Sequence, residues 1–277
     1  MKNLIFNIYK TLFFFDFAVI VIYFIPDIKL ENPALLALWR ESMSFAAVVF
    51  FTLFFTRVVE KKKLKVPFFK NKLRNYSTGL VCGIIVSAVP VLLLWPFKMF
   101  EITGQNSVKG IVFWLLAILF NTMTAELLLR GYLFRLYRRY YSFTVTTVII
   151  VLLYVSLNLT LFSRGLIISV NLLALNILLC LVTEYTNSVF TPITASFVYT
   201  AVSSFVLGSY SLGEEYPSLF NTSFKGIKYL SGGEQGPLGG LVLFAVTAAV
   251  CAFFIAKLRK RKAKTAVPRY HTTTRRA

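Results

Sequence analysis

A glutamate and an arginine stand four residues apart inside an otherwise apolar stretch, Ala125-Glu126-Leu127-Leu128-Leu129-Arg130-Gly131-Tyr132-Leu133. On a helix that spacing puts both on one face. An ionisable side chain within a membrane span is costly and by default marks a function. The plainer alternative is an intrahelical ion pair that makes each charge tolerable. Acid–base chemistry here would call for neighbours able to take up and release a proton, imidazoles above all. The chain has a single histidine, His271, far outside the apolar runs. Cys82, Cys180 and Cys251 fall in separate apolar runs without ligand spacing, so neither a metal centre nor a disulfide framework is expected, and no cofactor is implied.

The elements that must position Glu126 and Arg130 are membrane helices. The chain has 277 residues, 57% of them hydrophobic, and a formal charge of +19. Its apolar runs repeatedly reach the length needed to cross a bilayer. They predict eight spans, at about 4–25, 35–57, 78–98, 110–135, 143–162, 165–184, 189–208 and 239–257. The fold class expected is an all-α integral membrane protein, a bundle of about eight transmembrane helices. The first run carries Lys10 and Asp16 and no clear small-residue cleavage site, so it reads as a retained helix.

Basic residues alternate between linkers. They gather at Arg57–Arg74, at Arg135, Arg138 and Arg139, and at Lys257–Lys264, whereas the intervening linkers are near neutral or acidic. Eight spans with both termini cytoplasmic place every basic cluster inside. In a soluble protein such a charge would suggest nucleic acid. Here the Lys and Arg orient the chain and attract anionic lipids, and no nucleic acid partner is expected. The transmembrane domain is expected over 1–257, followed by a basic cytoplasmic tail over 258–277. The glycine-rich linker 209–238 reads as turns, with Ser231–Pro237 forming a compact loop before the last helix.

The string from Glu126 to Leu133 resembles the first motif of the CPBP family (CAAX proteases and bacteriocin-processing enzymes, also called Abi proteins). That motif is a Glu-Glu pair, three residues, Arg and commonly Gly-Tyr-Leu. Ala125 replaces the first Glu. The second motif, an aromatic, three residues and His, is matched by Tyr154-Val155-Ser156-Leu157-Asn158, with Asn158 in place of His. The third, Pro, a short apolar step, His and then Asn four residues later, is matched from Pro192 to Thr200, with Ser196 for His and Thr200 for Asn. Gly232-Gly233-Glu234-Gln235-Gly236-Pro237 resembles the loop before the family's last helix. The resemblance runs over about 110–257.

The resemblance implies intramembrane proteolysis, in which the first Glu and the second-motif His activate a water while the third-motif His and Asn stabilise the oxyanion. Ala125, Asn158, Ser196 and Thr200 remove those proton carriers, although Asn158 can still donate a hydrogen bond. Glu126 and Arg130 are retained, and an arginine partner makes Glu126 a poorer base. Ser196 as a nucleophile would need a nearby Lys or His, and Lys10 is the only lysine deep in a span. The expectation is a pseudoprotease of the bacterial cytoplasmic membrane that binds or regulates a membrane protein partner. The alternatives are an active endopeptidase relying on Glu126, or a small transporter. Helix rise places Glu126 about 21 Å, Asn158 about 25 Å and Ser196 about 12 Å from the inner ends of their spans. Asn171, Asn176, Thr183 and Glu184 are candidates for hydrogen bonds between helices. The phenylalanines Phe13, Phe14, Phe15, Phe17, Phe50, Phe51, Phe54 and Phe55 are expected against lipid and neighbouring helices.

Overall fold

The computed structural model describes residues 2–26, 28–61, 72–209 and 216–266. The basic residues of 62–71, Glu214, Glu215 and the tail 267–277 with His271 lie outside the described residues. Six helices among the described residues are long and apolar enough to cross a membrane: Phe6–Tyr23, Pro33–Val59, Leu73–Phe97, Ile111–Arg138, Leu166–Thr186 and Gly233–Arg261. The other two expected spans fold as shorter apolar helices, Phe143–Leu157 and Phe190–Val206. At 1.5 Å per residue these extend roughly 22–26 Å, less than the hydrocarbon thickness. The chain is an integral membrane protein, helical apart from one small two-stranded sheet.

In chain order the helices are α1 (Lys2–Tyr23), α2 (Pro33–Phe54), α3 (Lys72–Leu94), α4 (Ile111–Glu126), α5 (Phe134–Arg138), α6 (Phe143–Leu157), α7 (Leu159–Phe162), α8 (Leu166–Thr186), α9 (Phe190–Thr200), α10 (Lys228–Ser231) and α11 (Leu241–Ala266). Three widen into π-helical turns: Phe55–Val59 after α2, Leu127–Leu133 between α4 and α5, and Ala201–Val206 after α9. The start of α2 follows from its sequence. Asn32 caps it, its side chain accepting from the Ala34 N–H at 3.0 Å, and Pro33 occupies the first turn, where no N–H is needed.

Helix α8 is the centre of the bundle and is buried around most of its circumference, from Ile168 to Thr183. α11 packs along α8, α2 along α4, and α3 along α9. The α3–α9 contact depends on a pair of small residues. A Cβ on Gly79 would stand 2.5 Å from the Thr191 carbonyl oxygen, and one on Gly83 would stand 2.6 Å from Val198 Cβ. Four residues apart, these glycines form one flat stripe that lets two backbones approach, the usual device where lipid supplies no hydrophobic drive between helices. The phenylalanines divide between the two expected environments. Phe14, Phe15, Phe51 and Phe55 are buried, whereas Phe13, Phe17, Phe50 and Phe54 are exposed to the surroundings of the bundle. Phe14, Phe55 and Tyr132 close a three-ring cluster with centroids 4.5–5.4 Å apart.

The linker between α3 and α4 and the 209–238 linker expected as turns pair as a small antiparallel sheet, β1 (Phe100–Gln105) with β2 (Phe220–Phe224). Neither strand has a long alternating pattern, and each supplies the hydrogen-bonding partner that the other lacks locally. The glycine-rich loop is compact as expected, combining α10 with a 3-10 turn over Gly233–Gly239. Gly232 turns it with φ +83°, and a Cβ there would fall 1.7 Å from the Gly236 carbonyl oxygen. Asn171 ties this loop to α8, its side-chain amide donating to the carbonyls of Leu238 at 2.7 Å and Gly240 at 3.0 Å. α11 continues as helix through the basic residues to Ala266, past the boundary expected at 257.

Candidate functional site

Glu126 ends α4, and the π-helical turn Leu127–Leu133 begins at the next residue. Such turns recur at functional sites because one extra residue per turn re-aims the side chains that follow. Arg130 lies on this turn and is 1% exposed, and Glu126 is 3% exposed. One guanidinium nitrogen of Arg130 donates to both carboxylate oxygens of Glu126, at 2.9 and 3.0 Å. The other donates to the Asn176 backbone oxygen at 3.3 Å and to the Asn176 side-chain oxygen. Cys180, one turn further along α8, also lies against the guanidinium. From α9, the Ser196 hydroxyl donates to Glu126 Oε1 at 2.9 Å. The result is one chain of hydrogen bonds, Ser196 to Glu126 to Arg130 to Asn176, joining α9, α4 with its π-turn, and α8.

The network borders a cavity of about 50 Å³ whose lining includes Asn121, Ala125, Glu126, Arg130, Tyr154, Asn176, Ser196 and Thr200. Room for a water takes roughly 10–15 Å³ on this measure, so the cavity suits a few waters. It is far below the roughly 300 Å³ at which small-molecule pockets begin.

Five of the six positions singled out in the sequence, Ala125, Glu126, Arg130, Ser196 and Thr200, therefore meet around one cavity. Ser196 touches Glu126, in keeping with depths that helix rise makes loosely compatible, since counting from each inner end assumes that all the ends lie in one plane. Asn158 stands apart from the cavity lining. It terminates α6 with φ −128° and ψ 33°, and its side-chain amide donates back to the Tyr154 carbonyl at 2.9 Å. The aromatic of the same motif, Tyr154, does line the cavity.

Asn176 is the residue missed as part of the site. In the sequence it reads only as a polar residue able to bridge helices, and nothing local to α8 says that its partner is Arg130, 46 positions earlier. Of its companions, Asn171 reaches the loop, Glu184 pairs with Arg138 at 2.6 Å, and Thr183 bonds within its own helix to Leu179. Lys10 pairs with the buried Glu60, which also lies 3.8 Å from Arg139. The lysine that could have activated Ser196 thus belongs to a second ion-pair cluster, between α1 and the end of α2. Among the described residues, no three His, Cys, Asp or Glu side chains gather where they could hold a metal ion.

Residues 107–202 match the family model described as Type II CAAX prenyl endopeptidase Rce1-like. The matched segment runs from just before α4 into the π-turn after α9, and so contains every residue of the Ser196–Glu126–Arg130–Asn176 chain. The resemblance to the CAAX-protease family read from the motifs is thereby shown for this core. No curated protein and no solved structure matches the chain.

Proposed function

We propose that this protein is a pseudoprotease: a membrane scaffold resembling the CAAX prenyl endopeptidases that binds a membrane protein partner without cutting it. The observation that carries this reading is the set of bonds around Glu126. Oε1 accepts from both Arg130 and Ser196, and Oε2 accepts from Arg130. A general base must hold a water on a free lone pair and keep the proton it removes. Here a guanidinium and a hydroxyl take three of the carboxylate's roughly four acceptor sites, and Ala125 stands where the family's motif has its first Glu. The other uncharged polar lining groups are Asn121, Thr122, Asn176, Ser196 and Thr200 with the phenols of Tyr154 and Tyr216, and none of them is an imidazole or a second carboxylate.

The alternating basic clusters support a cytoplasmic location for both termini, and a bacterial cytoplasmic membrane is the setting proposed. A partner that enters the bilayer is favoured because the polar network lies within the span region, with uncharged groups around it.

The test has two arms on the same preparation. The full chain is extracted in mild detergent and its stoichiometric partners are identified. It is then reconstituted and incubated with a prenylated peptide bearing a terminal Cys-aliphatic-aliphatic-X box, alongside Glu126→Gln. The expected result is a co-purifying membrane protein and background hydrolysis in both samples. Hydrolysis by the unaltered chain that disappears in Glu126→Gln, while circular dichroism shows the variant still folded, would establish the opposing reading, an endopeptidase using Glu126 alone.

A further inference from the structure

A trough of about 600 Å³ runs between α3 and α11, with Tyr185 of α8 at one end. Both of its walls lie outside the matched segment 107–202. Its sides are apolar, formed by Val81 and Ile85 on α3 and by Val250 and Phe253 on α11. Its mouth is basic. Tyr185 carries Arg74 at this mouth, with the guanidinium 5.9 Å from the ring centroid and one nitrogen donating to the hydroxyl at 3.3 Å. Arg261 donates to the Tyr185 backbone oxygen at 3.2 Å, and Lys257 lies 5.3 Å over the Phe253 ring.

Cations at this end of the bundle have partners of two kinds. Arg138 meets Glu184 and Lys10 meets Glu60. Arg74 and Lys257 meet aromatic rings and a phenol, and among the described residues neither has a carboxylate partner. A positive mouth above an apolar trough facing the bilayer is complementary to one kind of molecule, an anion with a hydrocarbon chain.

We propose that the α3–α11 trough seats one anionic glycerophospholipid, with an acyl chain along Val81, Ile85, Val250 and Phe253 and its phosphate at Arg74 and Lys257. A transmembrane helix is a poor fit, because the α3 wall from Ser77 to Ile85 rises only about 12 Å. A zwitterionic lipid fills the trough equally well but leaves the mouth uncompensated. This proposal is independent of whether Glu126 catalyses anything.

The test uses the full chain in vesicles of equimolar phosphatidylglycerol and phosphatidylcholine, followed by detergent extraction and native mass spectrometry of the retained lipid. The expected result is one tightly held phosphatidylglycerol per chain. Neutralising the mouth in the double variant Arg74→Gln/Lys257→Gln should weaken retention about 30-fold, at the usual worth of a basic residue near anionic lipid. Ala249→Trp, which fills the trough from an exposed position on α11, should abolish retention while leaving the charge in place. Equal retention of the two lipids by the unaltered chain would overturn the proposal, as would retention unchanged in either variant. The double variant alters only exposed side chains, so the question stays decidable even if the tryptophan variant fails to fold.

Discussion

The buried Glu126–Arg130 pair makes a strong claim about stability that a double-mutant cycle can test. Glu126→Gln leaves a guanidinium that is 1% exposed with no opposite charge, and Arg130→Met leaves a carboxylate that is 3% exposed held only by Ser196. Breaking a buried ion pair from one side costs about 3–5 kcal/mol, because the remaining charge stays desolvated. Removing both charges together is different. Glu126→Gln/Arg130→Met leaves Asn176 without its donor and Ser196 facing an amide, a loss of about 1–3 kcal/mol for unsatisfied buried polar groups. The double variant should therefore be more stable than either single variant, with a coupling of several kcal/mol in the cycle. The assay is reversible unfolding in mixed detergent micelles followed by tryptophan fluorescence. The reasoning fails if each single variant lies within about 1 kcal/mol of the parent, since burial at this level leaves no cheap way to carry one charge. It also fails if the double variant is as unstable as the sum of the singles, which would mean that the two groups do not meet.

Two further outcomes test how the site is held in place. Gly83→Leu should destabilise the protein by about 1–3 kcal/mol in the same unfolding assay, because its side chain overpacks the α3–α9 contact at Val198; a neutral result would mean that α9 is not braced by α3. Asn171→Ala removes the two bonds that fasten the Leu238–Gly240 end of the glycine-rich loop, and limited proteolysis there should accelerate several-fold while Glu126-network variants leave that rate unchanged.

The sequence carried more of the site than of its surroundings. Glu126 and Arg130 were legible because a four-residue spacing guarantees a shared helix face, and an ion pair within the helix satisfies itself without knowledge of the fold. Ser196 and Thr200 were legible only through resemblance, since a Ser and a Thr in an apolar helix usually bond to their own backbone, as Thr194 does to Phe190. Asn176 was hidden for the same reason: an Asn on a buried helix has no sequence mark that names a partner on another helix. Asn158 shows the opposite failure. Its spacing from Tyr154 matches the motif, but spacing says nothing about whether the helix continues, and α6 ends at that residue. The paired strands β1 and β2 were illegible because each is five or six residues long and their pairing spans some 120 positions, a contact that local pattern cannot encode.

The network has a feature that bears on how such a site could lose its chemistry and keep its fold. In the Ser196–Glu126–Arg130–Asn176 chain, Glu126 sits at the centre and both of its oxygens are bonded. Deleting that carboxylate strands Arg130, so its presence is enforced by stability alone, whatever it does to a substrate. Ser196 is under a weaker constraint, because a hydroxyl donor to a buried carboxylate is worth about 1.5–3 kcal/mol and other donors could serve. Proton-carrying groups at the rim can therefore be exchanged for neutral donors at modest cost, whereas the central ion pair cannot be removed one residue at a time. On this argument, the presence of Glu126 and Arg130 beside Ala125, Ser196 and Thr200 is what stability would preserve whether or not the site cuts peptides, and the acid–arginine motif alone is weak evidence of activity.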